Sequence, residues 1–271
     1  MDFAAKKRKS TAGTRISSCL RTSLQKLKNL SLIVVLLLLW QYFSTEFLSS
    51  STRVLLPPPT AIFPAAWDLI TSGSLLHNAF DSLKREFVAF LWATSAVPIA
   101  VSMSWWPKIG EQLGPLMELL RPIPPLAWIP LSILWFGIGD TQNQFIIFLA
   151  IFFPILLNTI SGVKAVEPNL IRAARCLGAQ ERSVLLRVIL IAALPQIVTG
   201  IRIGLGVGWM ALVAAELVGA TSGLGFLIND ARSILRTDFV IVGMITIGII
   251  GMLIDWIVRS LFKLLLPWNR T

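Results

Sequence analysis

Apolar runs long enough to cross a bilayer recur along this chain, and basic residues gather at alternate ends of them. A helix that spans the hydrocarbon needs about 20 such residues. The runs centre on residues 30–47, 76–103, 115–137, 145–163, 188–217 and 239–266. A backbone buried in lipid must satisfy its own polar groups, which a helix does within each segment. The expected fold class is therefore an all-α membrane protein with six transmembrane helices. Only 14% of the residues are charged, against about 25% in a soluble domain.

Charge placement sets the expected orientation. Seventeen Lys and Arg fall in segments 1–29, 104–114, 164–187 and 259–271, and three, Arg53, Arg232 and Arg236, in the alternate segments. Cytoplasmic loops carry the excess of positive charge, so both termini are expected inside. The net charge of +10 thus reflects membrane orientation, and nucleic acid is not an expected partner. The layout reads as a basic cytoplasmic tail (1–29), a first span (30–47), an external loop (48–75), a core of five spans (76–266) and a short inner tail (267–271). Cys19 and Cys176 both fall in inner segments, where thiols stay reduced.

Several local features interrupt the spans. Pro57-Pro58-Pro59 predicts an extended stretch within 48–60, followed by a short helix over 61–73. His77, Asp81, Lys84, Arg85 and Glu86 occupy the first turns of the second span, so its lipid burial is expected from about Phe87. Arg121-Pro-Ile-Pro-Pro125 breaks the third span, which membranes tolerate where the freed backbone faces protein or a wet cavity. Arg121 there either lines an inner mouth or caps the freed carbonyls.

Ionisable groups inside a span face a cavity or one another. Arg202 and Glu216 are such groups, about 21 Å apart along one helix, and so are not paired within it. With Arg121 they are candidates for a translocation path, with an interhelical ion pair as the alternative. Gly200, Gly204, Gly206 and Gly208 follow Pro195, and either pack helices closely or allow bending. Ser222-Gly-Leu-Gly225 is read as an outer turn that either shapes an outer gate or is a plain loop between spans. The chain shows no nucleophile–base set and no metal-ligand spacing, so no catalytic or metal site is expected.

One polar segment differs from the rest. Pro168 suits the first position of a helix and Gly178 suits its stop. Leu170, Ala174 and Leu177 fall at i, i+4 and i+7 and form an apolar face, with Arg172 and Arg175 opposite. Ten residues make about 15 Å, too short to span. This is an amphipathic helix over 168–177 in the largest inner loop, which lies on lipid or docks in a partner's groove.

Arg172-Ala-Ala174, three residues, Gly178, nine residues, then Val188-x-Leu190 resembles the loop signature of permease subunits of binding-protein-dependent ABC importers. Arg172 stands where that signature has an acid, and Ile191 where it has a proline. Leu120-Arg-Pro-Ile-Pro-Pro-Leu-Ala-Trp-Ile-Pro-Leu131, Leu134-Trp-Phe-Gly-Ile-Gly139, Phe153-Pro-Ile-Leu-Leu-Asn-Thr159, Thr199–Gly206, Ala215-Glu216 and Ser222–Ile228 look like the nitrate/sulfonate/taurine/bicarbonate branch.

The resemblance implies a type I importer fold in the bacterial inner membrane. Its implied partners are a second permease copy, a cytoplasmic ATPase and an external solute-binding protein. Glu167, Pro168, Leu170, Arg172, Ala173, Ala174, Leu177 and Gly178 would form the ATPase-coupling segment. The implied cargo is a small oxyanion or a sulfonate. The chain has no Gly-x4-Gly-Lys-Ser/Thr loop to cradle phosphates, so ATP and magnesium would belong to the separate ATPase, with no cofactor here. An ATP-independent secondary transporter or channel is the competing expectation, and a membrane enzyme comes third.

Overall fold

The computed structural model describes residues 31, 32 and 34–265, and every element among them is helical. The basic tail and the inner C-terminal tail, with Cys19 and Arg270, lie outside the described residues. The chain divides into two compact units, one up to Ala65 and one from Ala66.

In the first unit, α1 (Val34–Phe47) is an apolar helix. Its last turn is π-wound. The one-turn α2 (Ser50–Arg53) follows, and then α3 begins (Pro59–Thr71). Ser44 Oγ donates to the Leu56 carbonyl at 2.6 Å, folding the connection back on the end of α1. The loop expected to be extended over 48–60 is therefore partly helical. Pro59 starts a helix instead of blocking one, because a first-turn residue needs no N–H partner.

The second unit holds four helices long and apolar enough to cross a membrane: α4 (Ser74–Trp105), α7 (Asp140–Lys164), α9 (Glu181–Gly219) and, to its last strongly apolar turn, α11 (Thr237–Leu265). Between α4 and α7 lie α5 (Pro107–Leu120) and α6 (Pro125–Phe136), bent by 83° from each other. The interrupted third span is thus longer than 115–137 and is a pair of helices. Pro122, Pro124 and Pro125 remove three backbone donors within four residues, so the helical ladder cannot run through. The short α8 (Pro168–Cys176) joins α7 to α9. A further helix, α10 (Leu224–Ser233), lies in the stretch read as an outer loop.

The core sits around α7. Ile146, Ile147, Ile151, Ile155 and Leu156 are fully buried there. Both neighbours meet α7 with small residues. On α4 these are Ala89, Ala93, Ala96 and Ala100, all fully buried. On α9 they are Gly200, Gly204 and Gly208. A Cβ added at Gly204 would lie 3.0 Å from the Ile151 carbonyl oxygen, and one at Gly208 would lie 2.5 Å from Ile151 Cγ1. Helices in lipid associate by such close backbone approach. Of the two roles read for the α9 glycines, packing holds at these three positions, while a Cβ on Gly206 would meet open space.

Gly204→Leu is accordingly expected to lower stability by about 1–3 kcal/mol through overpacking. Gly248→Ala, where a Cβ meets nothing, is expected to be neutral or to gain up to about 1 kcal/mol of helix propensity. Thermal unfolding of the detergent-purified protein separates the two, and equal midpoints would contradict the packing role.

Candidate functional site

Three regions carry the polar chemistry of the second unit. The first lies at the end of the bundle that holds α10. Along α4, Asn78, Ser82 and Arg85 fall at i, i+4 and i+7 and so share one face. Arg85 Nε donates to Asp140 Oδ1 at 2.7 Å. Its Nη1 donates to Glu216 Oε1 at 2.7 Å and to the Ser222 carbonyl at 2.6 Å. Its Nη2 donates to Ser222 Oγ at 2.8 Å. Arg85 is 2% exposed and Glu216 1%.

Around this pair the first turn of α10 is pinned. Glu216 Oε2 accepts the Gly225 N–H at 2.9 Å, Ser82 Oγ accepts the Leu224 N–H at 2.9 Å, and Asn78 Oδ1 accepts the Gly223 N–H at 2.7 Å. Helix N-termini leave such donors unpaired, and a carboxylate also matches the positive end of the helix dipole. A Cβ at Gly223 or Gly225 would overlap the Glu216 side chain. That overlap is why the Ser222-Gly-Leu-Gly225 turn carries two glycines; Gly223 also has φ +110.

Arg85 and Glu86 are therefore not the exposed entry turns of a span. Both are buried. Local hydropathy sums every face of a helix and misses a polar face turned to protein. The i, i+4, i+7 spacing of Asn78, Ser82 and Arg85 was the signal that could have found it. Next to Arg85 in the chain, Glu86 has no hydrogen-bond partner for either carboxyl oxygen among the described residues.

The second region is the middle of α9, where Arg202 Nε donates to Asp255 Oδ1 on α11 at 2.8 Å. Arg202 and Glu216 are thus each paired with another helix. Arg121, at the α5–α6 bend, is exposed. Its guanidinium makes no side-chain hydrogen bond among the described residues, so the capping role read for it is not seen. The three path candidates do not converge on one point.

The third region is α8, at the opposite end of the bundle from α10. Pro168 opens it and Gly178, at φ +82, closes it. The Ala179 N–H reaches the Ala174 carbonyl at 3.1 Å, and the Gly178 N–H reaches Arg175 at 3.0 Å. These two bonds form the left-handed stop that glycine favours. Leu177 belongs to that stop, so the helix is one residue shorter than read. The apolar face also divides. Ala174, with Ile171, packs inward against the cluster of Val166, Val184 and Ile189. Leu170 and Leu177 face outward, with Arg172 and Ala173 exposed beside them. Arg175 grips Glu181 of α9 through two bonds of 2.8 and 3.0 Å.

Residues 94–271 match the family described as binding-protein-dependent transport system inner membrane component. A putative ABC transporter permease of Methanocaldococcus jannaschii is 46% identical, over 74% of this chain and 76% of its own. The taurine transport system permease of Escherichia coli is 42% identical over 88% of both chains. The nitrate import permease of Synechocystis is 32% identical over 87% of both. In fold, the chain is similar to inward-facing structures of the MetNI methionine ABC transporter, with 20% identity, TM-score 0.56, and coverage of 70% of this chain and 97% of that one. It is also similar to an amino acid ABC transporter, at 17% identity and TM-score 0.58, over 73% and 94% of the two chains. A bundle of apolar spans with a short helix between two of them, matched by the family over more than half of the sequence, makes this chain a member of the inner-membrane permease family of binding-protein-dependent ABC importers, a multi-pass, non-catalytic subunit whose ATP is hydrolysed by a separate ATPase.

Proposed function

We propose that this permease imports a small sulfonate or oxyanion, and that α8 is the element through which the ATPase drives it. The observation that carries the cargo class is the 42% identity to a taurine permease over 88% of both chains, supported by an aliphatic-sulfonate permease of Bacillus subtilis at 36% over 90% of this chain. Two copies of the chain pair across the membrane, each holding one ATPase subunit at the cytoplasmic face, where ATP and magnesium bind. An external solute-binding protein delivers the cargo at the α10 end.

The basic residues favour this orientation, because Arg172 and Arg175 lie in α8, Lys164, Arg182 and Arg187 flank it, and positive charge stays inside. Glu167, Pro168 and Gly178 frame the docking helix, and Leu170, Arg172, Ala173 and Leu177 form its contact face. Ala174 seats it on the bundle. ATP binding closes the ATPase pair, carries α8 with it and biases the bundle between two packings, which is what coupling between sites requires. Arg202 lines the path, Arg121 stands at its inner mouth, and Glu216 holds its outer end closed.

Proteoliposomes carrying permease, ATPase and binding protein test the proposal with labelled taurine, ethanesulfonate and nitrate. Uptake of one of the three that requires internal or external ATP on the ATPase side is the expected result. Transport of none of them would overturn the cargo class. Uptake that follows a proton gradient without ATP would favour a secondary transporter.

A further inference from the structure

Midway along the bundle α9 and α11 part. Trp209 Nε1 bonds the Ile247 carbonyl at 3.1 Å and ties the two helices together. Beside that tie, Arg202, Gly206, Trp209, Gly251, Asp255 and Val258 line an open groove. The Asp255 carboxylate lies between two cations: Oδ1 is 2.8 Å from Arg202 Nε, and Oδ2 is 2.5 Å from Arg259 Nη2. The side chains of Arg202, Asp255 and Arg259 are 43%, 40% and 55% exposed.

Their depth gives that exposure its meaning. Asp255 lies about 27 Å along α11 from Thr237 and about 15 Å from Leu265 at 1.5 Å per residue, inside a hydrocarbon layer roughly 30 Å thick. Ionised side chains at such depth face protein or a water-filled cavity, not lipid tails. The groove opens onto Arg202 and Asp255, while Arg259 holds the other Asp255 oxygen from outside its lining. Two guanidiniums share one carboxylate, so the trio carries a net positive charge. A guanidinium has five donors set in a planar fork. Among the described residues Asp255 takes few of them, so donors remain for a second pair of oxygens.

We propose that Arg202 forms an oxyanion subsite of the translocation path, and that the Asp255 carboxylate, held by Arg259, is its resident stand-in. The permeating anion displaces it. A sulfonate or nitrate offers the same pair of oxygens that a carboxylate does, so it fits the same fork. Trp209 gives an apolar wall for a short alkyl chain, and the open space over Gly206 gives it room. This deepens the anion-import reading and rests on it for the source of the anion. The phosphate of an anionic lipid has the same chemistry and is separated from it below.

The test reads local charge without relying on uptake. In the assembled transporter, with Cys19→Ser and Cys176→Ser, a Gly206→Cys thiol is labelled by a sulfonatoethyl or a trimethylammonioethyl methanethiosulfonate. The anionic reagent is expected to react about 10-fold faster relative to the cationic one, as focused charge raises local ion concentration. Arg202→Gln should bring the ratio near one, and Asp255→Asn should raise it. A ratio near one in the parent, or one that ignores Arg202→Gln, overturns the subsite. A fall on Asp255→Asn shows the trio to be a strut and overturns it too.

Ethanesulfonate should slow labelling in vesicles of phosphatidylcholine alone. Protection that appears only with added phosphatidylglycerol assigns the site to lipid and overturns its place on the path. If wild-type proteoliposomes import no sulfonate while the labelling ratio behaves as expected, the cargo reading fails and the anion site stands.

Discussion

Arg85→Met is expected to cost about 3–5 kcal/mol of stability, the loss seen when one partner of a buried ion pair is removed. Glu216 would be left fully enclosed with a charge and only neutral donors, while the first turn of α10 still rests on it. Asp140 can turn to water, since its side chain is 52% exposed, so the cost concentrates on Glu216. The companion change Glu216→Leu in the same chain removes the stranded charge. It should recover a large part of the loss but not all of it, because the Gly225 N–H loses its acceptor. Thermal unfolding of the single and double variants in detergent closes the cycle, with an interaction energy of more than ~1 kcal/mol expected for groups in direct contact. Strictly additive losses would show that Arg85 and Glu216 do not act as a pair.

Leu170→Glu with Leu177→Glu should strip the ATPase from the permease and abolish uptake. Anchors buried at an interface are worth about 2 kcal/mol or more each, and two of them correspond to roughly a 10³-fold loss of affinity at 1.4 kcal/mol per decade. In the isolated permease Leu177 is 88% exposed and Leu170 is half exposed, so folding should change by no more than about 0.5 kcal/mol. Ile171→Glu is the contrasting control, because Ile171 packs on the core under α8 and its loss should unfold that end of the bundle. Co-purification of the ATPase through a tag on the permease reads the result, and a thiol at Ala173 should cross-link to it in the parent. Wild-type recovery of ATPase with the double Leu variant would remove α8 as the docking element.

The long spans were legible because apolar composition over about 20 residues has one interpretation, and α7, α9 and α11 fall where hydropathy placed them. Likewise, α8 was legible from Pro168 and Gly178, which state a start and a stop locally. What the sequence hid depends on partners far along the chain. Arg85 meets Glu216 across 131 positions, and Asp255, never singled out, meets Arg202 across 53. Pairings of that kind are products of packing. The prolines at 122, 124 and 125 announced a break but not its 83° angle, which the neighbouring helices set. The α10 helix was missed because its first turn is glycine-rich and its donors are met by side chains from α4 and α9, so nothing nearby in sequence marks its start. Which outward residues α8 offers also depended on the core beneath it, where Ile171 took the inward place expected of Leu170.

The two ends of the second unit share one continuous beam, π-wound over Leu185–Ile189 and carrying Pro195. From Glu181, gripped by Arg175, to Gly219, just past Glu216, α9 runs 39 residues, or about 58 Å. It rests on α7 at Gly200, Gly204 and Gly208, positions with no side chains to interlock. That contact is a bearing with the beam's arms on either side. A tilt of ~10° about Gly204 would move the ends by roughly 4–6 Å in opposite senses, given arms of about 22 and 35 Å at 1.5 Å per residue. A rigid tilt delivered near Glu181 therefore arrives at the carboxylate that secures α10, about 18 Å beyond Gly204, at roughly half its amplitude and with its direction reversed.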